Sequence, residues 1–591
     1  MTERLKPSLF AALATSLAMG LVPGAGASAA EARPVVRLGP DLSGRLIDPE
    51  GRSAYGLFLA GRAAFAKGRV GTAADYLAAA RDLAGDQSRL ADQAFTAALL
   101  AGDLTLAAET APTPGTAPAV LVEAGRLARV VEALRGGRAR AGHQALVEAP
   151  IGAPHARAGA LLVPWAAAMA GDWTAAVAEP AAADPRTLVF LRYSRAQLLE
   201  RRGRHAEAEA AWAALVRDTP NAALFRADYG AFLERRGRRE EARAVYAAAG
   251  APAGRAPEGL VRLDAGGRPP AMVSLRAGAA AALMAAATAA AADQAGEFAV
   301  AYLQMALALD DDDALRLRLG QALAQVDRRA AAREVLDRIR PGRPALFASA
   351  RLSIAFGLET DGDIDGGVRE ARVAFAAAPD DAGVAYALAA LLLQAGEPQE
   401  ALDLLAGPLL NTAGQGPEVQ FLRGVAYESL DRIPEAEAEL WAAHQVTPDD
   451  ATILNYLGYM WVDRGLRVEQ GAEMIARAFA AEPENGNIQD SLGWAQYRRG
   501  LYDAAVETLE EAVAKEPANA EINGHLGDAY WQVGRRREAG FQWARVLTLD
   551  PDADERAAAE AKLAIGLEAF EAAQAAPAGP AAATAADALE R

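Results

Sequence analysis

A 591-residue chain with formal charge −17, 52% hydrophobic but only 6% aromatic residues, is suited to pack helices through Ala and Leu and is a poor candidate to hold polyanions. It has no Cys, which excludes disulfides, thiolate metal sites, a Cys nucleophile and lipid attachment through an N-terminal Cys. Its basic residues are nearly all Arg and form no block, so nucleic acid and anionic membrane surfaces are poor candidates as partners.

Residues 1–29 read as a signal peptide. Arg4 and Lys6 precede the apolar run "LFAALATSLAMGLV", and "AGASAA" offers small residues for cleavage near Ala29. Pro23 and Gly24 break the run before it reaches the roughly 20 residues that a membrane span needs. The expected product is exported, soluble and periplasmic, with no insertion into the membrane after cleavage. Residues 30–52 hold Pro34, Pro40 and Pro49 without a helical period and read as a linker.

From 53 to 250 the chain reads as a degenerate helical array. Gly61, Gly68, Ala73, Leu77 and Ala80 give an order of small, turn, small, bulky and small residues. Between 88 and 186 the pattern weakens into irregular hairpins joined by Pro-rich turns. It returns with Gly203 and Gly237, Ala208 and Ala242, and Trp212 and Tyr246, each pair 34 residues apart. The Gly- and Pro-rich stretch 251–270 is the expected hinge between two arrays. A second array runs from 271 to 551, with helix-to-helix turns expected at Gly362, Gly396, Asp431, Gly500 and Gly534. Residues 552–573 read as a capping helix and 574–591 as a disordered Ala/Pro tail.

The period is sharpest at the end of the second array. Pro483, Pro517 and Pro551 are spaced by 34, as are Gly493 and Gly527, and Gly500 and Gly534. Leu526, Gly527 and Tyr530 place a small residue and an aromatic on one stripe of a first helix. Gly534 ends it, and Ala539, Trp543 and Val546 form the buried stripe of a second helix that Pro551 cannot extend. This 34-residue pattern resembles the tetratricopeptide repeat, a pair of antiparallel helices that stacks into a superhelix. The expected fold is all-α: a tetratricopeptide-repeat α-solenoid in two arrays.

Motifs for catalysis are sparse. "DGDIDG" supplies Asp361, Asp363, Asp365 and Gly366 in the order of a calcium loop, but its twelfth position is Arg372, and the string falls on a repeat turn. Asp310–Asp313 form a charge run at a helix boundary. The five His make no H-x-x-x-H or H-E-x-x-H pair, so no zinc site is expected. Nucleophile-elbow, phosphate-loop and dinucleotide patterns are missing, and neither a cofactor nor an enzyme activity is expected.

The informative cluster is aromatic. In the stacking scheme, the residue after each "LG" pair and the one three further on face the concave side. That places Tyr459, Val462, Trp494, Tyr497, Asp528 and Trp531 there, with Asn455, Asp490 and Arg498 beside them. Aromatic rings among charges are the composition of a protein-binding hot spot. Trp461 and Trp543 belong to the packing set.

The strings "LNYLGYMWVDRG", "PENGNIQDSLGWAQYRRGLYDAAVETLEEAV" and "INGHLGDAYWQVGRRREA" resemble the last repeats of an exported bacterial tetratricopeptide family. That family includes outer-membrane lipoproteins that act as adaptors for carboxyl-terminal processing proteases. The resemblance implies a non-catalytic scaffold that binds such a protease and delivers cell-wall hydrolase substrates to it. The lipid-bearing Cys of those lipoproteins has no counterpart here. A scaffold for polysaccharide export, outer-membrane assembly or peptidoglycan-associated complexes would use the same fold, and the oligomeric state stays open.

Overall fold

The computed structural model describes residues 47–575 except 49, 85–87, 116, 181–183, 219–221, 249–256, 413–414 and 550. The expected signal peptide, residues 30–46 of the linker, the start of the 251–270 stretch and residues 576–591 of the tail lie outside the described residues. Among the described residues the regular elements are helices, with one isolated antiparallel bridge between Ile47 and Ser53.

The hairpin Gly486–Arg498 with Tyr502–Lys515 shows why this sequence folds as it does. Asn485 caps the first helix, its side chain accepting from the backbone N–H of Asn487 and Ile488. Gly500 turns the chain at φ 75°, where an L side chain is strained. Gly493 then sits directly on Leu509; a Cβ there would come within 2.6 Å of the Leu509 side chain. Ala505, Leu509 and Ala512 fill the seam, and burying a Leu contributes about 1.5–3 kcal/mol. Gly362, Gly396, Asp431 and Gly534 also adopt positive φ at their helix-to-helix turns, Asp431 without the freedom of glycine.

The acidic motif is part of this scheme. Gly362 is the left-handed turn, Asp363 caps helix Ile364–Ala377 by accepting from Gly366 N–H at 2.9 Å, and Arg372 pairs with Glu397 and Glu400. The string is therefore a turn and a helix start, not a twelve-residue loop. Asp312 likewise caps helix Asp313–Gln325.

Two compact units divide after Gly357, whereas the sequence reading sets a hinge at 251–270. The reason lies in the Ala-rich helix Leu275–Ala292. It is long and apolar enough to cross a membrane, but its Gly278, Ala279, Ala282 and Leu283 are buried, and the helix packs on Ala156–Ala170 as well as on Gly296–Leu309. Gly278 admits Trp165 so closely that a Cβ would lie 2.1 Å from the indole. The next helix, Gly296–Leu309, packs on Ser88–Ala101 and Ala119–Arg135. Gln304 donates to the Leu100 carbonyl at 2.8 Å, and Arg328 donates to the Phe65 carbonyl at 3.1 Å. Residues after 270 thus return onto the first hairpins and complete their core.

His155 joins the same seam. Its Nε2 donates to the Val120 carbonyl at 3.1 Å, so its Nδ1 accepts from the Tyr302 hydroxyl at 2.6 Å. Burial holds the imidazole neutral, below its ordinary pKa of 6.5.

Gly278→Ala lowers the stability of the first unit by roughly 1–3 kcal/mol through overpacking, while Gly540→Ala, with open space around it, raises that of the second by about 0.4–1 kcal/mol; urea midpoints read both. Because the unfolded chain protonates His155 first, the first unit loses stability as pH falls below 6.5 toward the lowered folded value. His155→Gln reduces that slope in pH-dependent thermal unfolding.

Candidate functional site

Three successive first helices of the second unit, Ala451–Asp463, Gly486–Arg498 and Ala520–Gln532, start from side-chain caps at Asp450, Asn485 and Asn519. Equivalent caps set equivalent helical phase, so the same face of each helix contributes to one wall. The helices Ala553–Ile565 and Leu567–Ala575 close the end of that wall. Between them lies a cleft of ≈ 450 Å³.

Aromatic side chains line one side. Trp494 is the centre: its ring stacks on Tyr497 at 4.8 Å with 6° between planes, and on His525 at 4.2 Å with 14°. Its Nε1 donates to Asp463 at 3.1 Å. Tyr459 donates its hydroxyl to Glu521 at 2.9 Å, and Tyr456 donates to Glu428 at 2.6 Å. Burial, reinforced by the nearby carboxylates, pushes both phenols well above their ordinary pKa; burial also raises Glu428.

The lining carries eight carboxylates, among them Asp463, Glu521, Asp528 and Glu555, against the fixed cations Arg464 and Lys562. Asp528 is satisfied, accepting from Trp543 Nε1 at 2.9 Å and from Lys562 at 2.7 Å. The remaining field is negative and attracts cationic side chains.

Of the residues expected on the concave face, Tyr459, Trp494 and Asp528 line the cleft. Val462 is not on the wall but fully buried in the core with Ile475 and Ala495. Asn455 is buried at 2% exposure in the helix core, with Oδ1 lacking a hydrogen-bond partner. Asp490 is buried and accepts from His525 Nδ1 at 2.9 Å. Tyr497 is buried behind Trp494, and Arg498 packs over the Trp494 ring and donates to Asp463. Trp531 is covered by the capping helices: Glu568 accepts from its Nε1 at 2.6 Å, and a Cβ on Gly566 would come within 2.8 Å of its ring. Trp531 shares the repeat position of Tyr497, but the wall ends there under the cap. Trp461 and Trp543 are core residues at 2% and 1% exposure.

His525 and Glu521 were missed. Their i, i+4 spacing on one helix was the available signal, since it puts an imidazole and a carboxylate on one face.

Comparison with known proteins agrees with the class that these hairpins define. The tetratricopeptide-repeat family model matches residues 193–256, 463–514 and 491–554, and the fold is an all-α, tetratricopeptide-type α-solenoid. The chain is 28% identical over 193 residues to the TPR repeat-containing protein PA4667 of Pseudomonas aeruginosa, a match spanning 32% of each chain. Among solved structures it is similar to the Cut9–Hcn1 hetero-tetramer of the APC/C, at 14% identity over 86% of this chain and 96% of that one, with a TM-score of 0.37. A tetratricopeptide repeat protein from Parabacteroides merdae matches at 14% identity over 43% of this chain and 97% of its own, with the same TM-score of 0.37. Tetratricopeptide arrays are protein-binding scaffolds, generally without catalysis.

Because Trp531 anchors the cap, Trp531→Ala destabilises the last hairpin by roughly 2–3 kcal/mol, less than the 3–5 kcal/mol of a fully buried ring. Amide exchange accelerates in Leu567–Ala575 and not in the helices preceding Ala451.

Proposed function

We propose that this chain is a non-catalytic, exported scaffold whose C-terminal cleft grips a segment of a partner protein. The observation that carries the reading is the cleft itself: Tyr459 and Trp494 supply rigid aromatic surface beside carboxylates that outnumber fixed cations. Such a wall suits an apolar anchor flanked by Lys or Arg, because rings bury area at low entropic cost while the negative field steers the basic side chain. Trp494 has its indole N–H already bonded and its ring stacked on Tyr497 and His525. It is presented to a partner with little ordering left to do.

The biological setting we infer is the periplasm. The signal-like N-terminus and the resemblance of the last repeats to protease adaptors support a role in bringing cell-wall hydrolase substrates to a carboxyl-terminal processing protease. The segmental similarity to PA4667, whose name states only that it carries these repeats, supports the repeat class and not the partner.

The test is capture of partners from envelope extracts on the full chain, followed by titration of the purified partner. Trp494→Ala, with helix content retained by circular dichroism, is expected to weaken the complex roughly 30-fold, the magnitude of a hot-spot loss of about 2 kcal/mol. Raising the salt concentration is expected to weaken it further. Unchanged affinity in Trp494→Ala refutes the cleft as the binding surface. Recovery of polysaccharide-export or outer-membrane assembly components in place of a protease refutes the adaptor role and leaves the scaffold.

A further inference from the structure

At the floor of the aromatic wall, Glu521 and His525 of helix Ala520–Gln532 meet Asp490 of helix Gly486–Arg498. A carboxylate oxygen, an imidazole nitrogen and a second carboxylate oxygen lie within 4.8 Å of one another. Donors bound to a divalent ion at 2.0–2.2 Å lie about 3–4 Å apart, so little movement separates this cluster from a coordination set. Two of the three are fixed in the interior: Asp490 is 5% exposed and His525 is 8% exposed.

The surroundings hold the donors as the outer shell of a metal site does. Trp494 stacks on the His525 ring at 4.2 Å and limits its rotation. The Tyr459 hydroxyl donates to one Glu521 oxygen at 2.9 Å, which orients that carboxylate. Glu521 and His525 both line the ≈ 450 Å³ cleft, so coordination positions not filled by protein open onto it.

We propose that Asp490, Glu521 and His525 form a binding site for one divalent transition-metal ion, with Zn²⁺ the fitting case. The imidazole selects against Mg²⁺ and Ca²⁺, which prefer oxygen donors alone, and two carboxylates offset the ion's charge. Nδ1 now donates its proton to Asp490, so binding through that atom requires the proton to move to Nε2, which frees the Nδ1 lone pair for the ion. Three protein donors with open positions describe an ion that a further ligand from the cleft can complete. The site stands whether or not the cleft takes a partner segment, because the test uses the metal alone.

The experiment titrates the chelator-stripped full chain with Zn²⁺ by calorimetry and with Co²⁺ by visible absorption. One Zn²⁺ per chain is expected, with d–d bands for Co²⁺. Glu521→Gln and His525→Gln are each expected to lower affinity 10- to 100-fold and to remove or shift those bands. Asp361→Asn, in the other acidic string, is expected to change neither. Glu521→Gln is the decisive variant, since a half-buried, near-isosteric change preserves the fold if Asp490→Asn does not. Absence of stoichiometric binding overturns the proposal. Binding with equal affinity in Glu521→Gln and His525→Gln also overturns it, by placing the ion on surface carboxylates.

Discussion

A missing side chain is the contact on which the rest of this molecule depends. Where Gly493 meets Leu509 and Gly527 meets Trp543, the first helix of a hairpin approaches the second so closely that a Cβ would lie 2.5–2.6 Å from the opposing side chain. Gly458 and Gly471 make the same approach backbone to backbone. These seams fix the rotation of each helix about its axis, and rotation decides which residues are core and which are wall. Tyr459 and Trp494 face the cleft because Gly458 and Gly493, one residue earlier, are held in the seams.

The same principle is turned inward in the first unit. There the helix Leu275–Ala292 presents Gly278 to Trp165, and a hairpin continuous with the later residues becomes part of the earlier core. Polar locks at Gln304, His155 and Arg328 satisfy backbone carbonyls that loose packing would leave unmatched. The aromatic wall of the second unit is left open as far as its capping helices.

Repeat class, hairpin order and turn positions were legible in the sequence because they rest on local chemistry. A left-handed turn asks for Gly or a residue that tolerates it, and a helix end asks for Pro; both leave marks at fixed spacing. The unit boundary was not legible, because an Ala-rich helix carries no mark of what it packs against, and Gly/Pro density at 251–270 marks an interruption of the pattern without saying where the chain goes next. At the site, helical phase was readable for Tyr459, Trp494 and Asp528. Trp531 shares the repeat position of Tyr497, but its covering comes from Leu567–Ala575, whose docking no period predicts. Asn455 and Asp490 sit a short way round the helix from the wall, and that rotation is set by the seam rather than by the count of residues.

The electrostatics of the cleft follow from this arrangement. Carboxylates on successive hairpins are brought together by stacking, not by any local sequence that tolerates them. Several are compensated one at a time: Asp528 by Lys562 and Trp543, Asp463 by Trp494 and Arg498, Glu428 by Tyr456. Phenol and indole donors stabilise an anion with a dipole, which costs the cleft no net negative charge. A surface assembled this way keeps its field while satisfying its hydrogen bonds. It therefore attracts a cation, whether a side chain or an ion.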